Sequence, residues 1–386
     1  MDRELPPKLD IHPPLINSAN PWATTLEDLK ALYDCPSTGA VTTRTALLDG
    51  FPHDASVHQY AFFHMATQMS FAGPASTPGR TAGAGIDAAV GDASLNNMGY
   101  SPVPLDEYLD IIVRILEEAE VPDEETREAA RKIFIVSVTG SPDQVAECYR
   151  RVARRSEVMM MKKKKKKKKK KKQLFALEIN LSCPNIPGAP PPAYDGEALG
   201  RYVRSVHAAS SEDKAFPHKL PWGIKTPPYT HAGQFEMLIG ALRAEAEVLG
   251  GGVCPLSFVT ATNTLGSCLL LDDDDGDTTG EEKENGNGNG VKPKLAGSGI
   301  GGMAGAPLHP LALGNVRTLR RMLDASAATR HIQIIGVGGV ADAAGYKRMR
   351  SVGADVVGVG TALGRRGVAV FGEIEGGLRV GEGVEW

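Results

Sequence analysis

The chain is poor in cysteine and aromatic residues, and it has no long apolar run. Five cysteines stand among 386 residues, an odd number with no CxxC pair. That fits free thiols in a reducing compartment better than a disulfide frame or a zinc site. Aromatic residues make up only 6% of the chain, too few to suggest a stacking platform for nucleic-acid bases. No segment reaches the ~18 uninterrupted apolar residues of a membrane span. The N-terminal MDRELPPKLD has no apolar core of a signal segment. The expectation is a cytoplasmic protein without membrane contact. No GxGxxG opens the first strand–helix unit, which argues against a doubly wound open sheet.

Charge of one sign is scarce once a single run is set aside. The net charge is −3, but eleven of the 43 basic residues are Lys162–Lys172. Without them 32 basic residues face 46 acidic ones, a balance of −14. An acidic body of this kind is a poor partner for nucleic acid. The lysine run itself reads as a solvated homopolymer insertion, since nucleic-acid patches interleave other residue types.

What is present is an alternation of β-rich and amphipathic segments. Eight strands are expected, at 14–19, 40–45, 133–140, 174–182, 222–228, 256–263, 332–340 and 355–363. Helical patterns lie between them, such as LDEYLDIIVRILEEAE and QFEMLIGALRAEAEVL. Eight such units predict an α/β fold, the (β/α)8 TIM barrel, with surface insertions. Three segments break the rhythm: a Gly/Ala/Ser/Pro-rich excursion at about 65–92, the lysine run at 161–172, and an acidic then Gly/Asn-rich stretch at 272–290.

Functional side chains in a barrel project from the C-terminal strand ends. The fourth strand ends in NLSCPN, which sets Asn180, Ser182, Cys183 and Asn185 there. Paired amides can grip a planar amide or imide ring, and a thiol near its pKa can act as a general base. From this stretch alone, a base and a structural cysteine in a tight turn are equally good readings. Arg44 ends the second strand, Lys225 lies in the fifth, and Asn263 and Thr264 end the sixth. Gly338-Gly339 and Gly360-Thr361 end the last two, where barrels hold phosphate on backbone N–H groups, and Gly301-Gly302 offers another such turn. The composite asks for a phosphate-bearing cofactor, a cation, substrate amides and a thiol base.

The segments LEINLSCPNIPG, GIKTPPY, SLNNMG, TNTLG, SGIGGMAG, IQIIGVGGV and VGVGTAL, together and in their places, resemble class 1 dihydroorotate dehydrogenase. This family is the soluble flavin enzyme of pyrimidine (UMP) biosynthesis. The likeness spans about residues 10–375, and NLSCPN is its most specific piece. A Cys where the membrane-bound class carries Ser points to class 1. The PPY after Lys225 points to the 1A branch, a homodimer that passes electrons to fumarate; the NAD-linked 1B branch shares the Cys.

The resemblance implies one FMN-binding barrel over residues 1–386. Ala19, Asn20, Arg44, Thr45, Asn180 and Thr262 would line the FMN, with its phosphate near Gly302, Gly338, Gly339, Gly360 and Thr361. Lys225 would stabilise negative charge on the flavin. Arg44, Asn96, Met98, Gly99, Tyr100, Asn180, Asn185, Asn263 and Thr264 would bind dihydroorotate. Cys183 would take a proton from C5 while hydride leaves C6 for the flavin. Two residues depart from the family: Arg44 where Lys is usual, and Asn20 where Gly is usual.

No metal is expected. His53, His58 and His64 are spaced for no single helical face, and a contact in a lid fits them better. The aspartates at 272–275 lack the alternation of an EF-hand loop. Two other readings stay open: a flavin oxidoreductase acting on another cyclic amide or enone, and a barrel without turnover that serves as a binding protein. Replacing Lys162–Lys172 by a short Gly/Ser linker should leave turnover of dihydroorotate nearly unchanged in a steady-state assay; loss of turnover in a folded variant would give the run a role.

Overall fold

Each of the eight expected strands forms, and together they close on themselves. The computed structural model describes residues 5–70, 91–119, 132–161, 173–182, 191–212, 219–249, 251–272 and 292–382. The strands are β1 (Leu15–Asn17), β2 (Ala40–Thr42), β3 (Tyr60–Phe63), β4 (Ala93–Asn96), β5 (Ile133–Val138), β6 (Phe175–Asn180) and β7 (Trp222–Thr226). They continue as β8 (Phe258–Ala261), β9 (Leu265–Leu269), β10 (Leu271–Asp272), β11 (Lys292–Pro293), β12 (Ile300–Gly305), β13 (Gln333–Val337) and β14 (Val356–Val359). The helices are α1 (Leu26–Asp34), α2 (Leu105–Glu118), α3 (Pro142–Met161), α4 (Gly196–Glu212), α5 (Ala232–Val248), α6 (His309–Asp324), α7 (Ala343–Ser351), α8 (Thr361–Arg366) and α9 (Ala369–Glu382). Parallel pairing runs β1-β2-β5-β6-β7-β8-β13-β14 and back to β1, which is the (β/α)8 barrel.

The strands read as continuous apolar runs because both of their faces are buried. Outward residues such as Phe134, Val136, Leu177, Ile179, Ile224 and Val259 pack under the helices. Inward residues Ile16, Ala40, Ile133, Ile135, Ala176, Phe258, Ile335 and Val356 fill the barrel's lower half. Its floor is closed by Leu9 and Ile11. Leu9 is tied there by two bonds: its N–H donates to Gln333 Oε1 at 2.7 Å, and Gln333 Nε2 donates to its carbonyl at 3.1 Å.

Higher up, the inward positions turn polar. Along β5 they run Ile133, Ile135, Ser137; along β6, Ala176, Glu178, Asn180; along β8, Phe258, Thr260 and then Thr262 just beyond. Backbone pairing between β1 and β2 is brief, with one register pair, Ile16↔Ala40. The Asn17 side chain prolongs it, donating to Thr42 O at 2.6 Å and accepting from Thr42 N–H at 2.9 Å.

A second, antiparallel sheet, β3-β4-β12-β9, was not foreseen. One of its faces carries Ala61, Phe63, Ala93 and Leu95, packed with Leu270 and Leu295. Gly301-Gly302, expected as a phosphate-holding turn, is extended within β12, with Gly302 opposite Asn96 of β4. A Cβ on Gly301 would sit 2.5 Å from the Asn96 carbonyl oxygen, so the glycine serves strand contact. Helix α9 was also unforeseen. Most of the three expected insertions (71–90, 162–172 and 273–291) lies outside the described residues, as does Cys183–Pro190. No helix among the described residues is long and apolar enough to cross a membrane.

Phe258 is fully buried in the barrel interior. Phe258→Ala should cost about 3–5 kcal/mol in chemical denaturation. Val380→Ala, at a 91% exposed site on α9, should change stability by less than about 0.5 kcal/mol.

Candidate active site

A cavity with about 990 Å³ of empty space, mouth included, opens between the C-terminal strand ends and the small sheet. Seventeen of the residues singled out in the sequence line it: Ala19, Asn20, Arg44, Thr45, Asn96, Met98, Gly99, Tyr100, Asn180, Lys225, Thr262, Asn263, Thr264, Gly338, Gly339, Gly360 and Thr361. Gly302 is not among the lining residues; Ala304 and Gly305 of the same strand are. Cys183 and Asn185 lie outside the described residues.

The strand ends hold these side chains in fixed positions. Asn20 donates through Nδ2 to Ser18 O at 2.7 Å and accepts from Trp22 N–H at 2.9 Å, shaping the turn that follows β1. Arg44 is buried, and its Nη2 donates to the carbonyls of Met98 and Gly99 at 3.3 and 3.4 Å. The guanidinium thus ties the end of β2 to the segment after β4. Gly99 has φ +63°, and a Cβ there would meet the Phe51 ring at 2.5 Å. Phe51 in turn packs on His58 and Tyr100, and His58 lies against His53. Two of the three histidines therefore sit behind this rim, and no metal-holding cluster occurs among the described residues.

The polar floor of the cavity is a directed hydrogen-bond network. Asn180 Nδ2 donates to Thr45 Oγ1 at 3.1 Å. Asn180 Oδ1 accepts from Ser182 N–H (3.2 Å), Ser182 Oγ (3.0 Å) and Asn263 Nδ2 (3.3 Å). Asn263 Nδ2 also reaches Ser182 Oγ at 3.0 Å, and its Oδ1 accepts from Thr264 N–H at 2.8 Å. An amide has two N–H donors and two carbonyl lone pairs. What Asn180 keeps for a ligand is an N–H; what Asn263 keeps is carbonyl capacity. The two side by side match the C=O and N–H of a cyclic amide. Lys225 projects into the same space: Trp222 and Ile224 face the helices, so the alternate residues Gly223 and Lys225 face inward.

The opposite wall is built of glycine. Gly338 has φ +141° and Gly339 φ +69°. A Cβ on Gly339 would lie 2.6 Å from both Gly305 O and His309 Cβ. His309 Nδ1 bonds Gly338 O at 2.6 Å, while Arg348 Nε donates to His309 Nε2 at 3.0 Å. Accepting at Nε2 leaves the ring proton on Nδ1, so the histidine donates to the Gly338 carbonyl. Helix α8 starts at Thr361, so its first unpaired backbone N–H groups begin at the cavity wall. Gly338, Gly339 and Gly360 line this wall beside the start of α8, a placement that suits a phosphate.

Several lining residues were missed in the sequence. Trp22 stacks on Phe62 and meets Tyr60 edge-on, each with 5.4 Å between centroids, and its Nε1 has no partner among the described residues. Ser94 bonds Thr361 across the cavity, Oγ to Oγ1 at 2.9 Å. Tyr60 and Ser94 belong to the small sheet, whose strands gave no periodic signal.

A sequence profile described as dihydroorotate dehydrogenase matches residues 72–380. A relative from Lactococcus lactis subsp. cremoris, dihydroorotate dehydrogenase A (fumarate), is 33% identical over 197 residues, 51% of this chain and 52% of its own. One from Streptococcus equi subsp. equi, provisionally given the same name, is 29% identical over 288 residues, 75% of this chain and 72% of its own. A solved structure of the Eimeria tenella DHODH, in complex with ferulenol, superposes with a TM-score of 0.61 at 16% identity, covering 96% of this chain and 81% of that one. At that identity it bears on the fold alone.

Gly339→Ala should destabilise the folded chain by more than about 1 kcal/mol, because its φ is positive and its Cβ has no room. Gly314→Ala, on exposed helix α6 with nothing within 4 Å, should instead stabilise by about 0.5–1 kcal/mol. Denaturant midpoints of the two variants check the opposite signs.

Proposed function

The chain belongs to the dihydroorotate dehydrogenase family, and on that premise we propose that it oxidises dihydroorotate to orotate with bound FMN and passes the electrons to fumarate. The observation that carries this reading is the fixed donor–acceptor pair of Asn180 and Asn263 beside Lys225, under a glycine cradle. That pair accepts a cyclic amide. Arg44, at the same cavity, favours one that bears a carboxylate.

The residues present fit FMN. Gly338, Gly339, Gly360 and Thr361 bring backbone to the cavity wall beside the start of α8, and Trp22 Nε1 stands unpartnered among the described residues. Gly338, Gly339, Gly360 and Thr361 would hold the phosphate. Ala19, Asn20, Thr45 and Thr262 would line the ring system. When bound, the flavin supplies a two-electron acceptor. Lys225 places a buried positive charge where negative charge develops, and its ammonium needs no reorganisation to do so. Arg44 binds the substrate carboxylate while anchored to the Met98 and Gly99 carbonyls. Asn96 and Tyr100 close over the substrate ring from the small-sheet side. Cys183 follows Ser182 directly in sequence, and its thiolate removes the C5 proton. Asn185 belongs to the same substrate-binding turn. Exposed Leu269, Leu271 and Ile300, near one another on β9, β10 and β12, support assembly as a homodimer.

Anaerobic mixing with dihydroorotate, followed by the oxidised-flavin absorbance, tests the whole reading. The purified chain should be yellow and should bleach. A colourless chain that refuses FMN would refute the enzyme assignment. Lys225→Ala should impair flavin binding or bleaching. Cys183→Ser should keep its flavin and bleach about 10²–10⁴-fold more slowly near neutral pH. Bleaching by the unaltered chain should rise with pH as the thiol ionises, and the serine variant should need higher pH because a hydroxyl is the weaker acid. A serine variant as fast as the unaltered chain would remove Cys183 from the chemistry.

A further inference from the structure

Glu178 lies one inward position below Asn180 on β6, is almost fully buried, and does not line the cavity. Its carboxylate accepts two hydrogen bonds, from Ser137 Oγ at 2.9 Å and from Thr260 Oγ1 at 2.7 Å. The two bonds lead to different places. Ser137 Oγ also meets Thr45 Oγ1 at 3.0 Å, and Thr45 Oγ1 meets Asn180 Nδ2 at 3.1 Å. Among the described residues Thr260 has no such connection to Asn180.

A hydroxyl has one proton to give, and that of Ser137 points to Glu178 Oε1. Ser137 therefore spends its proton on Glu178. Thr45 must then donate to Ser137, which leaves its oxygen as an acceptor. Only the NH2 end of Asn180 can satisfy that oxygen. Each bond from Glu178 to the cavity thus has one direction, and Ser182 N–H, donating to Asn180 Oδ1, holds the amide the same way from the other side. Reversing the chain would turn the Asn180 amide around, present a carbonyl to the ligand and put its NH2 against Ser182 and Asn263, which already donate there.

We propose that Glu178 is a positioning residue: through Ser137 and Thr45 it fixes the orientation of the Asn180 side-chain amide, so that the site offers an N–H donor to an acceptor group on the substrate ring. The proposal rests on the reading of the cavity as a dihydroorotate site and adds a residue that touches neither substrate nor cofactor.

The test compares the two branches that leave Glu178. Ser137→Ala cuts the branch to Asn180; Thr260→Val removes the other bond to the same carboxylate at nearly constant volume. Orotate affinity of the flavin-loaded chain is read from the perturbation of the flavin spectrum. Ser137→Ala should weaken orotate binding about tenfold or more, the scale of one lost polar match in a buried site. Thr260→Val should change it less than twofold. Because Ser137→Ala leaves a carboxylate oxygen unpartnered, the double variant Glu178→Gln/Ser137→Ala supplies the same cut without a buried unmatched charge, and it should weaken orotate to a similar degree. Equal effects of the two branches, or none in either, would overturn the positioning role.

A second measurement needs no ligand. In chain labelled with 15N-asparagine, the Asn180 side-chain signal, identified by its loss in Asn180→Ala, should move in Ser137→Ala and stay in place in Thr260→Val. An unaltered chain that fails to bind orotate would sink the functional reading. The amide signal would still decide whether Glu178 orients Asn180, and an unmoved signal in Ser137→Ala would sink that.

Discussion

A closed parallel sheet buries both faces of every strand, and the chain's chemistry depends on how it fills the inner one. Below, the filling is hydrocarbon: Ile133, Ile135, Ala176 and Phe258, sealed by Leu9 and Ile11. Above, the same strands carry Ser137, Glu178, Asn180, Lys225 and Thr260. Polar groups at this depth are tolerated only when paired, since an unmatched one costs about 1–3 kcal/mol. The pairing found here is directional. Hydroxyls donate to Glu178, amides donate to hydroxyls, and the last members of the chain face the cavity. Satisfying the barrel interior and orienting the amides that line the cavity are therefore one structural task.

The cavity also needs a roof, which the barrel alone does not provide. The small antiparallel sheet supplies Tyr60, Ser94, Asn96, Ala304 and Gly305. Its place is fixed through close backbone approach: Gly301 against the Asn96 carbonyl, and Gly305 against that of Asp92, where a Cβ would lie 2.4 Å from the oxygen. The glycines of SGIGGMAG bring one strand close to another, whereas those at 338–339 make room for the Ala312 side chain and the Gly305 carbonyl while also lining the cavity. The same residue type does two jobs a few ångströms apart, and composition alone does not separate them.

That contrast explains how much could be read from the chain. The eight barrel strands were legible because double burial writes them as runs of β-branched and aliphatic residues, IFIVSV and IQIIGV among them. The site residues at their ends were legible because a barrel has one functional end. The small sheet was not. ASLN and IGGMAG are short, glycine and polar residues interrupt them, and Asn96 meets Gly302 across a separation of 206 residues. Nothing local marks such a pairing. Tyr60 and Ser94, which lie on these strands, were missed for the same reason. Glu178 was passed over because a carboxylate within an apolar strand gives no sign of the hydroxyls that will meet it from β5 and β8.

Arg44 joins the end of β2 to the roof of the cavity. An ammonium offers three donors around a point; a guanidinium offers five in a planar fork. Here one arm of the fork, Nη2, serves the Met98 and Gly99 carbonyls together. Those carbonyls belong to the segment that carries Asn96 and Tyr100 into the cavity. Gly99 sits at positive φ with the Phe51 ring against it, so the segment has little freedom to move off the arginine. A planar cation that grips this segment from the end of β2 sets the roof's height over the strand ends, and with it the space between the Asn96 side and the Asn180–Asn263 pair. Arginine in this position therefore ties β2 to the roof and places a cation at the cavity wall.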